Sequence, residues 1–340
     1  MTRSGFGRDA LRAAIEGTLA GQGAHALAAG VQRLMAAYRS GEVPRTPVLA
    51  SRRDVAAYAA YRMPATEAAT RAALQQVIAA LPGWAPIRLV DIGSGTGATA
   101  WAVAGELPSI EWMTLHEQSH EAIDVGRAIL DESGVAVLRQ ALWVPWRLPM
   151  DGAVAPFPPA DLATVGYVLG ELEPQQRARL VALAMEAASV VVIVESGTPG
   201  GYRRVIDARA QLVAAGFTLL APCPHQLVCP LTDRRDDWCH FAERVERSTI
   251  HRRAKGAQLP YEDEKFSFVA AVRDGDVDLP AARVIRHPQH RKGLVSLELC
   301  VSHGCARTQL VGKRYGPVYR QARKVSWGDR WDHMPGAAGS

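Results

Sequence analysis

The chain has no run of about 18 apolar residues, so nothing in it reads as a membrane-spanning helix. Its first twenty residues, MTRSGFGRDALRAAIEGTLA, are broken by charge before any signal-like apolar stretch develops. The expectation is a soluble, cytoplasmic protein with no membrane partner. Only five cysteines occur in 340 residues, and in a reducing compartment clustered thiols are more often metal ligands than disulfides. The first three lack the tight C-x2-C to C-x4-C knuckles common in structural zinc sites, while Cys300 and Cys305 stand at C-x4-C. Lysine is missing from the first half, since all five stand at 255, 265, 292, 313 and 324. There is no internal repeat, and no low-complexity tract beyond alanine-rich helices. What is present is enough length for two or three lobes and a core that needs no covalent staples.

The apolar pattern predicts helix over 7–39 with a glycine break near 21–23, a linker at 41–51, and helices at 52–62 and 64–81 separated at Met63-Pro64. Strands and helices then alternate. Strands are expected at 87–93, 110–117, 135–141, 161–172 and 189–196, with helices at 98–107, 119–132 and 174–188. The run SVVVIVES at 189–196 has the composition of a strand buried on both faces. This alternation means a parallel sheet covered by helices. From about 216 it stops, and a small α+β appendage follows, with a helix near 236–247, strands at 265–273 and 294–300, and a frayed tail. The expected domains are a helical region (1–60), an α/β domain (61–215) and a cysteine-rich basic appendage (216–335).

In LVDIGSGTGATA (89–100), Gly93, Gly95 and Gly97 directly follow a strand and open a helix. Such a turn lets backbone approach a ligand closely. The G-x-G-x-G spacing differs from the dinucleotide G-x-G-x-x-G. Glu117 ends the second strand, where a carboxylate can accept both ribose hydroxyls of an adenosine, and Asp91 can order the turn or receive an ammonium group. These residues resemble motifs I and II of class I S-adenosylmethionine-dependent methyltransferases, over roughly 60–215. The resemblance implies a Rossmann-like α/β sheet with S-adenosylmethionine on Asp91, Gly93, Ser94, Gly95, Gly97, Glu117, Gln118 and Tyr167. Yet the Asn/Asp-Pro-Pro-Tyr loop common in transfer to base nitrogens is missing, and no cysteine stands ready for transfer to a pyrimidine carbon. The matching place, VGYVLGELEP (165–174), offers Tyr167 and Glu171. Glu171 suits either a base or a helix cap. No catalytic residue is assigned.

Cys223, Cys229 and Cys239 follow one another as C-x5-C-x9-C, and Cys300 and Cys305 come about 60 residues later. Wide spacing with Cys-Pro steps fits an iron–sulfur cluster. His225 and His240 leave zinc as the alternative.

The segments YRMPATEAA (61–69), DIGSGTGATAWA, YVLGEL, VESGTPGGYRRVIDAR (194–209), PCPHQLVCPL, DWCHFAERVERS and YEDEKFSFVA occur in this order. Together they are similar to the methyltransferase-like small-ribosomal-subunit family. Its mitochondrial members associate with the assembling small subunit, and its bacterial members are usually described as ribosomal methyltransferases. The resemblance runs from about 55 to VSWGDRW (325–331). It implies a methyltransferase fold with an appendage whose four-iron four-sulfur cluster sits on Cys223, Cys229, Cys239 and Cys300, with Cys305 the weaker choice for the fourth place. The cluster is expected to stand in for a core in the appendage. The implied partners are the small ribosomal subunit and its rRNA, bound by a monomer.

Charge agrees in sign with such a partner. Residues 1–200 hold 16 Lys+Arg against 19 Asp+Glu, and residues 201–340 hold 23 against 15. A basic second half is the expected contact for a polyanion. The stretches 244–256 and 312–331 interleave cations with aromatics, with Tyr315, Tyr319, Trp327 and Trp331 as possible base stackers. Three functions remain: an assembly and rRNA-binding protein that retains S-adenosylmethionine, an active rRNA methyltransferase, and a soluble redox protein. A zinc-stabilised binding protein is a variant of the first.

Overall fold

The computed structural model describes residues 8–21, 27, 29–33, 51–234, 236–246 and 261–334. Most of the 41–51 linker, the tail from 335 and most of the 244–256 basic stretch lie outside them. Helices that precede the first strand include α1 (Arg8–Thr18), α2 (Arg52–Tyr61) and α3 (Met63–Ala80). Ser51 caps α2 by accepting the Asp54 N–H at 3.2 Å, and Pro64 sits in the first turn of α3, where no N–H is needed. Among the described residues no helix is long and apolar enough to cross a membrane.

The alternating region gives β1 (Arg88–Ile92), α4 (Ala98–Glu106), β2 (Trp112–Glu117), α5 (His120–Glu132), α6 (Ala136–Arg139), β3 (Leu142–Pro145), β4 (Ala160–Gly166), α7 (Pro174–Ala187), β5 (Ala188–Ser196), α8 (Pro199–Ala214), β6 (Thr218–Ala221), β7 (Phe241–Glu246) and β8 (Tyr261–Val272). The strands order as β3-β2-β1-β4-β5-β8-β6, with β7 also on β8. The pairs among β1 to β5 are parallel, and β8 runs antiparallel to β5, β6 and β7. This is the Rossmann-like sheet of a class I methyltransferase fold. Val190–Val194 of β5 lie buried in its centre, as their β-branched run requires.

Three expectations fail locally. The stretch 135–141 holds helix α6, built from Ala-Val-Leu-Arg, and the third strand begins one residue later. That strand is the sheet edge, where Leu142 is 61% exposed while Trp143 packs against Gly126 of α5. The helix expected near 236–247 is strand β7. Its residues Phe241 and Val245 point inward with period two, and Arg244 pairs across to Asp263 at 3.1 Å. Finally, strands β6, β7 and β8, read above as part of the appendage, pair into the first sheet.

A second sheet of five strands follows: β9 (Ala282–Val284), β10 (Gln289–Arg291), β11 (Leu294–Val301), β12 (Ala306–Gly312) and β13 (Arg330–Trp331), with α9 (Pro317–Ala322) against it. It has its own core of Val284, Val295, Leu297, Leu299, Val311, Ala322 and Trp331. The appendage therefore does not rely on a metal for a core, contrary to the expectation from composition. Trp331 is part of that core, its indole N–H donating to Gln309 at 2.9 Å, so it is not a base stacker.

Candidate functional site

The glycine turn lies at the carboxyl end of β1, where parallel sheets of this kind bind ligands. All three glycines are left-handed, with φ of 76°, 55° and 86° at 93, 95 and 97. At Gly93 a side chain is excluded twice, because an added Cβ would also lie 2.3 Å from Val168 Cγ2. The Gly93 and Ser94 amides donate to the His116 carbonyl at 2.8 and 3.0 Å. Glu117 closes the turn: its Oε2 accepts the Gly95 N–H at 2.9 Å and its Oε1 the Ser119 N–H at 2.8 Å. Each carboxylate oxygen keeps further lone-pair capacity. Gln118 beside it is exposed.

Carboxyl groups crowd this end of the sheet. Asp91 is fully buried, accepts Thr164 Oγ1 at 2.7 Å, and leaves Oδ2 without a partner among the described residues. Burial pushes it up to about 6 against the Thr164 and Ser94 hydrogen bonds, with Glu117 adding to the rise. Glu171 is pushed up to about 7, first by burial and then by Glu117 and Glu195. Glu117 itself is raised by burial. Glu195 is held differently, by Arg204 at 2.8 Å and the Leu169 N–H at 2.9 Å.

Tyr167 has φ of 61°, a left-handed conformation in a bulky residue, at the mouth of this site. Its hydroxyl donates to Glu264 of β8 at 3.0 Å, and Arg62 grips the same carboxylate through two nitrogens at 2.9 and 2.8 Å. The expected cofactor residue is thus engaged with the sheet's antiparallel strand. Tyr58 of α2, which sequence reading did not single out, stands over Gly95, its hydroxyl 3.8 Å from where a Cβ would be. Thr164, Val168 and Glu264 were also missed. Their roles come from contacts across strands, and only the YEDEKFS segment around Glu264 carried any signal.

The second site is a cavity of about 30 Å³ between the two sheets. Strands β6 and β7 lie along the same edge of β8, and the loop 222–240 that joins them carries Cys223, Cys229 and Cys239 into the cavity. Cys300, at the end of β11, enters from the other side, while Cys305 is exposed in the following turn and does not line it. Among the described residues no three His, Cys, Asp or Glu side chains are grouped closely enough to hold a metal ion. Burial, and then the neighbouring thiols, push Cys239 and Cys300 up; burial does the same to Cys223. The Tyr202 hydroxyl is 3.2 Å from Cys229 Sγ, and His225 Nε2 is 3.4 Å from Cys300 Sγ. His240 instead hydrogen-bonds the Trp238 carbonyl at 3.0 Å and packs on Trp238 and Trp327.

Two buried arginines also line the cavity. Arg209 donates to the His225 and Leu227 carbonyls at 3.2 and 2.5 Å, and Arg283 to the Pro222 and Gly328 carbonyls at 2.9 and 3.1 Å. Burial brings Arg283 down to about 10, a shift that Cys223 opposes.

Comparison with known proteins places these sites in context. The chain is 29% identical over 302 residues to the human protein "Ribosome assembly protein METTL17, mitochondrial", covering 80% of this chain and 61% of the human one. It is 28% identical over 190 residues to "Rsm22-cox11 tandem protein 2, mitochondrial" of Schizosaccharomyces pombe, covering 44% of this chain and 25% of that protein. The chain thus spans less than two thirds of the length of these relatives. Among solved structures, magnesium protoporphyrin IX methyltransferase from Synechocystis, with bound S-adenosylmethionine, aligns with a TM-score of 0.38 at 13% identity, over 62% of this chain and 80% of that one. The family model described as "Mitochondrial small ribosomal subunit Rsm22" matches residues 52–332, from α2 to past the last strand of the second sheet. With both sheets inside that match, the chain belongs to the mitochondrial small ribosomal subunit Rsm22 family.

Proposed function

We propose that this chain is a small-ribosomal-subunit assembly protein that binds rRNA, takes S-adenosylmethionine at its glycine turn and holds a four-iron four-sulfur cluster on Cys223, Cys229, Cys239 and Cys300. The observation that carries this reading is the meeting of these four thiols, in a chain of the Rsm22 family, in one cavity between two sheets. Thiolates are ligands for iron–sulfur clusters as for zinc, and the wide C-x5-C-x9-C spacing of the first three favours the larger group. Four thiolates around iron and sulfide make an anion, and the buried Arg209 and Arg283 supply the counter-charge. When bound, the cluster supplies a tetrathiolate cross-link between the 222–240 loop and β11. His225 lies beside Cys300 and Tyr202 beside Cys229, each placed to hydrogen-bond a ligand sulfur.

At the glycine turn, Asp91, Glu117 and Glu171 form an acidic end suited to a ligand with a sulfonium and an ammonium group. Glu117 holds the turn while retaining capacity for ribose hydroxyls. Methyl transfer has less support than binding. Tyr167 is committed to Glu264 and no Asn/Asp-Pro-Pro-Tyr loop occurs at 165–174, while Glu171, pushed up to about 7, is the base that a methyl-transfer reading would use. Iron and sulfide analysis of anaerobically purified protein tests the cluster. About four of each per chain is expected, and stoichiometric zinc without iron under iron-replete expression would refute it.

A further inference from the structure

We infer that the cleft between the β10–β11 hairpin and α9 is a binding site for the phosphodiester backbone of RNA. The choice of RNA rests on the reading of the chain as an rRNA-binding assembly protein, whereas the site itself follows from geometry and charge. The cleft encloses about 390 Å³ and is lined by His290, Arg291, Lys292, Gly293, Tyr319 and Arg323. The hairpin turns at Lys292–Gly293, where Gly293 has φ of 76°. Its carbonyl accepts the Lys313 N–H at 2.8 Å, which fastens the hairpin to the end of β12 and sets Lys313 and Arg314 beside the turn. On the opposite wall, α9 is anchored to the second core by Ala322, Val318 and Tyr319. Both walls are therefore fixed, and the cations are presented on rigid elements.

Charge separates this cleft from the rest of its lobe. Residues 281–334 hold 11 Lys+Arg against 3 Asp+Glu, so they exceed the +5 of the whole chain. Several of the lobe's other arginines are spent internally. Arg330 pairs with Asp278 and Asp332, Arg286 pairs with Asp237, and Arg283 donates to carbonyls. Arg291, Lys292 and Arg323 are exposed and have no acidic partner among the described residues, and the segments 286–293 and 312–325 contain no Asp or Glu. Like charges left together without counter-ions repel one another, and a polyanion relieves that repulsion. Cations on an edge strand can also serve to block strand pairing, which accounts for Arg291 and Lys292. It does not account for Arg323 and Tyr319 converging on them from another element.

The test uses the full chain and a fluorescently labelled small-subunit rRNA transcript, with anisotropy followed over a salt series. The triple variant Arg291→Gln, Lys292→Gln, Arg323→Gln should bind more weakly, and its log–log salt slope should shrink by about 2 to 3, one released counterion per lost contact. Arg291→Lys with Arg323→Lys should keep most of the slope, and Arg127→Gln on the exposed side of α5 should keep all of it. Matched melting curves exclude misfolding as the cause. If the wild type binds this RNA and the triple variant shows the same affinity and slope, the cleft is not the site, though the RNA-binding reading stands. If the wild type does not bind RNA at all, that reading fails and takes the proposal with it. Inorganic phosphate or polyglutamate displacing the RNA at equal charge concentration would make the cleft a general anion or acidic-protein site and overturn the assignment.

Discussion

Cys300 and Cys305 are five residues apart, yet they differ sharply in surroundings. Cys300 ends a paired strand and lines the thiol cavity, and Cys305 is exposed. Cys300→Ser should lose iron and the broad visible absorbance of the anaerobic protein, while Cys305→Ser should lose little, and bleaching by Cys305→Ser alone would reverse the assignment. Because the second sheet has its own core, the Cys300 variant should stay folded and loosen the junction between sheets, seen as faster hydrogen exchange in 222–240. At the other site, Glu117→Ala removes the acceptor of two backbone N–H groups. It should weaken S-adenosylmethionine binding by about 1–3 kcal/mol in calorimetry. The acidic end also sets a pH dependence. Asp91 near 6 and Glu171 near 7 are neutral below those values, and a cationic ligand favours their ionised forms. Affinity should therefore rise as pH increases through about 6 to 7, with protons released on binding in that window. Affinity that is flat or falls over this range would show that these carboxyls do not face the ligand.

Among the elements, the glycine turn and the core strand β5 were legible because their composition is dictated locally, by positive φ and by burial on both faces. The third strand was misplaced because Ala136–Arg139 form a short helix just before an edge strand whose exposed Leu142 weakens the alternation. Strand β7 was read as helix because its charged residues are stabilised by cross-strand partners such as Asp263, which a local pattern does not reveal. The cysteines of the cavity were legible as a group, but Arg209, Arg283 and Tyr202, which complete its walls, lie on elements that only the fold brings near. The same holds for Tyr58, Thr164 and Val168 at the glycine turn. Gly93→Ala tests how tightly that turn is specified. The left-handed backbone costs about 1–2 kcal/mol, and Val168 must move as well, so the variant should unfold at lower urea and lose ligand binding together. An unchanged urea midpoint would mean that neither the left-handed backbone nor Val168 constrains the turn.

Across the whole molecule, the fold joins a methyltransferase-type sheet to a basic five-stranded sheet, with a thiol-lined cavity at their junction. The reading to be tested is that the chain serves small-subunit assembly, with methyl transfer to the rRNA as the alternative. The most direct measurement compares small-subunit rRNA from cells with and without the gene, scoring precursor levels and every methyl mark in the same samples. The account predicts that small-subunit precursors accumulate while the marks on the rRNA stay as they were. Loss of one specific mark, restored on isolated subunits by the purified protein and S-adenosylmethionine, would contradict it.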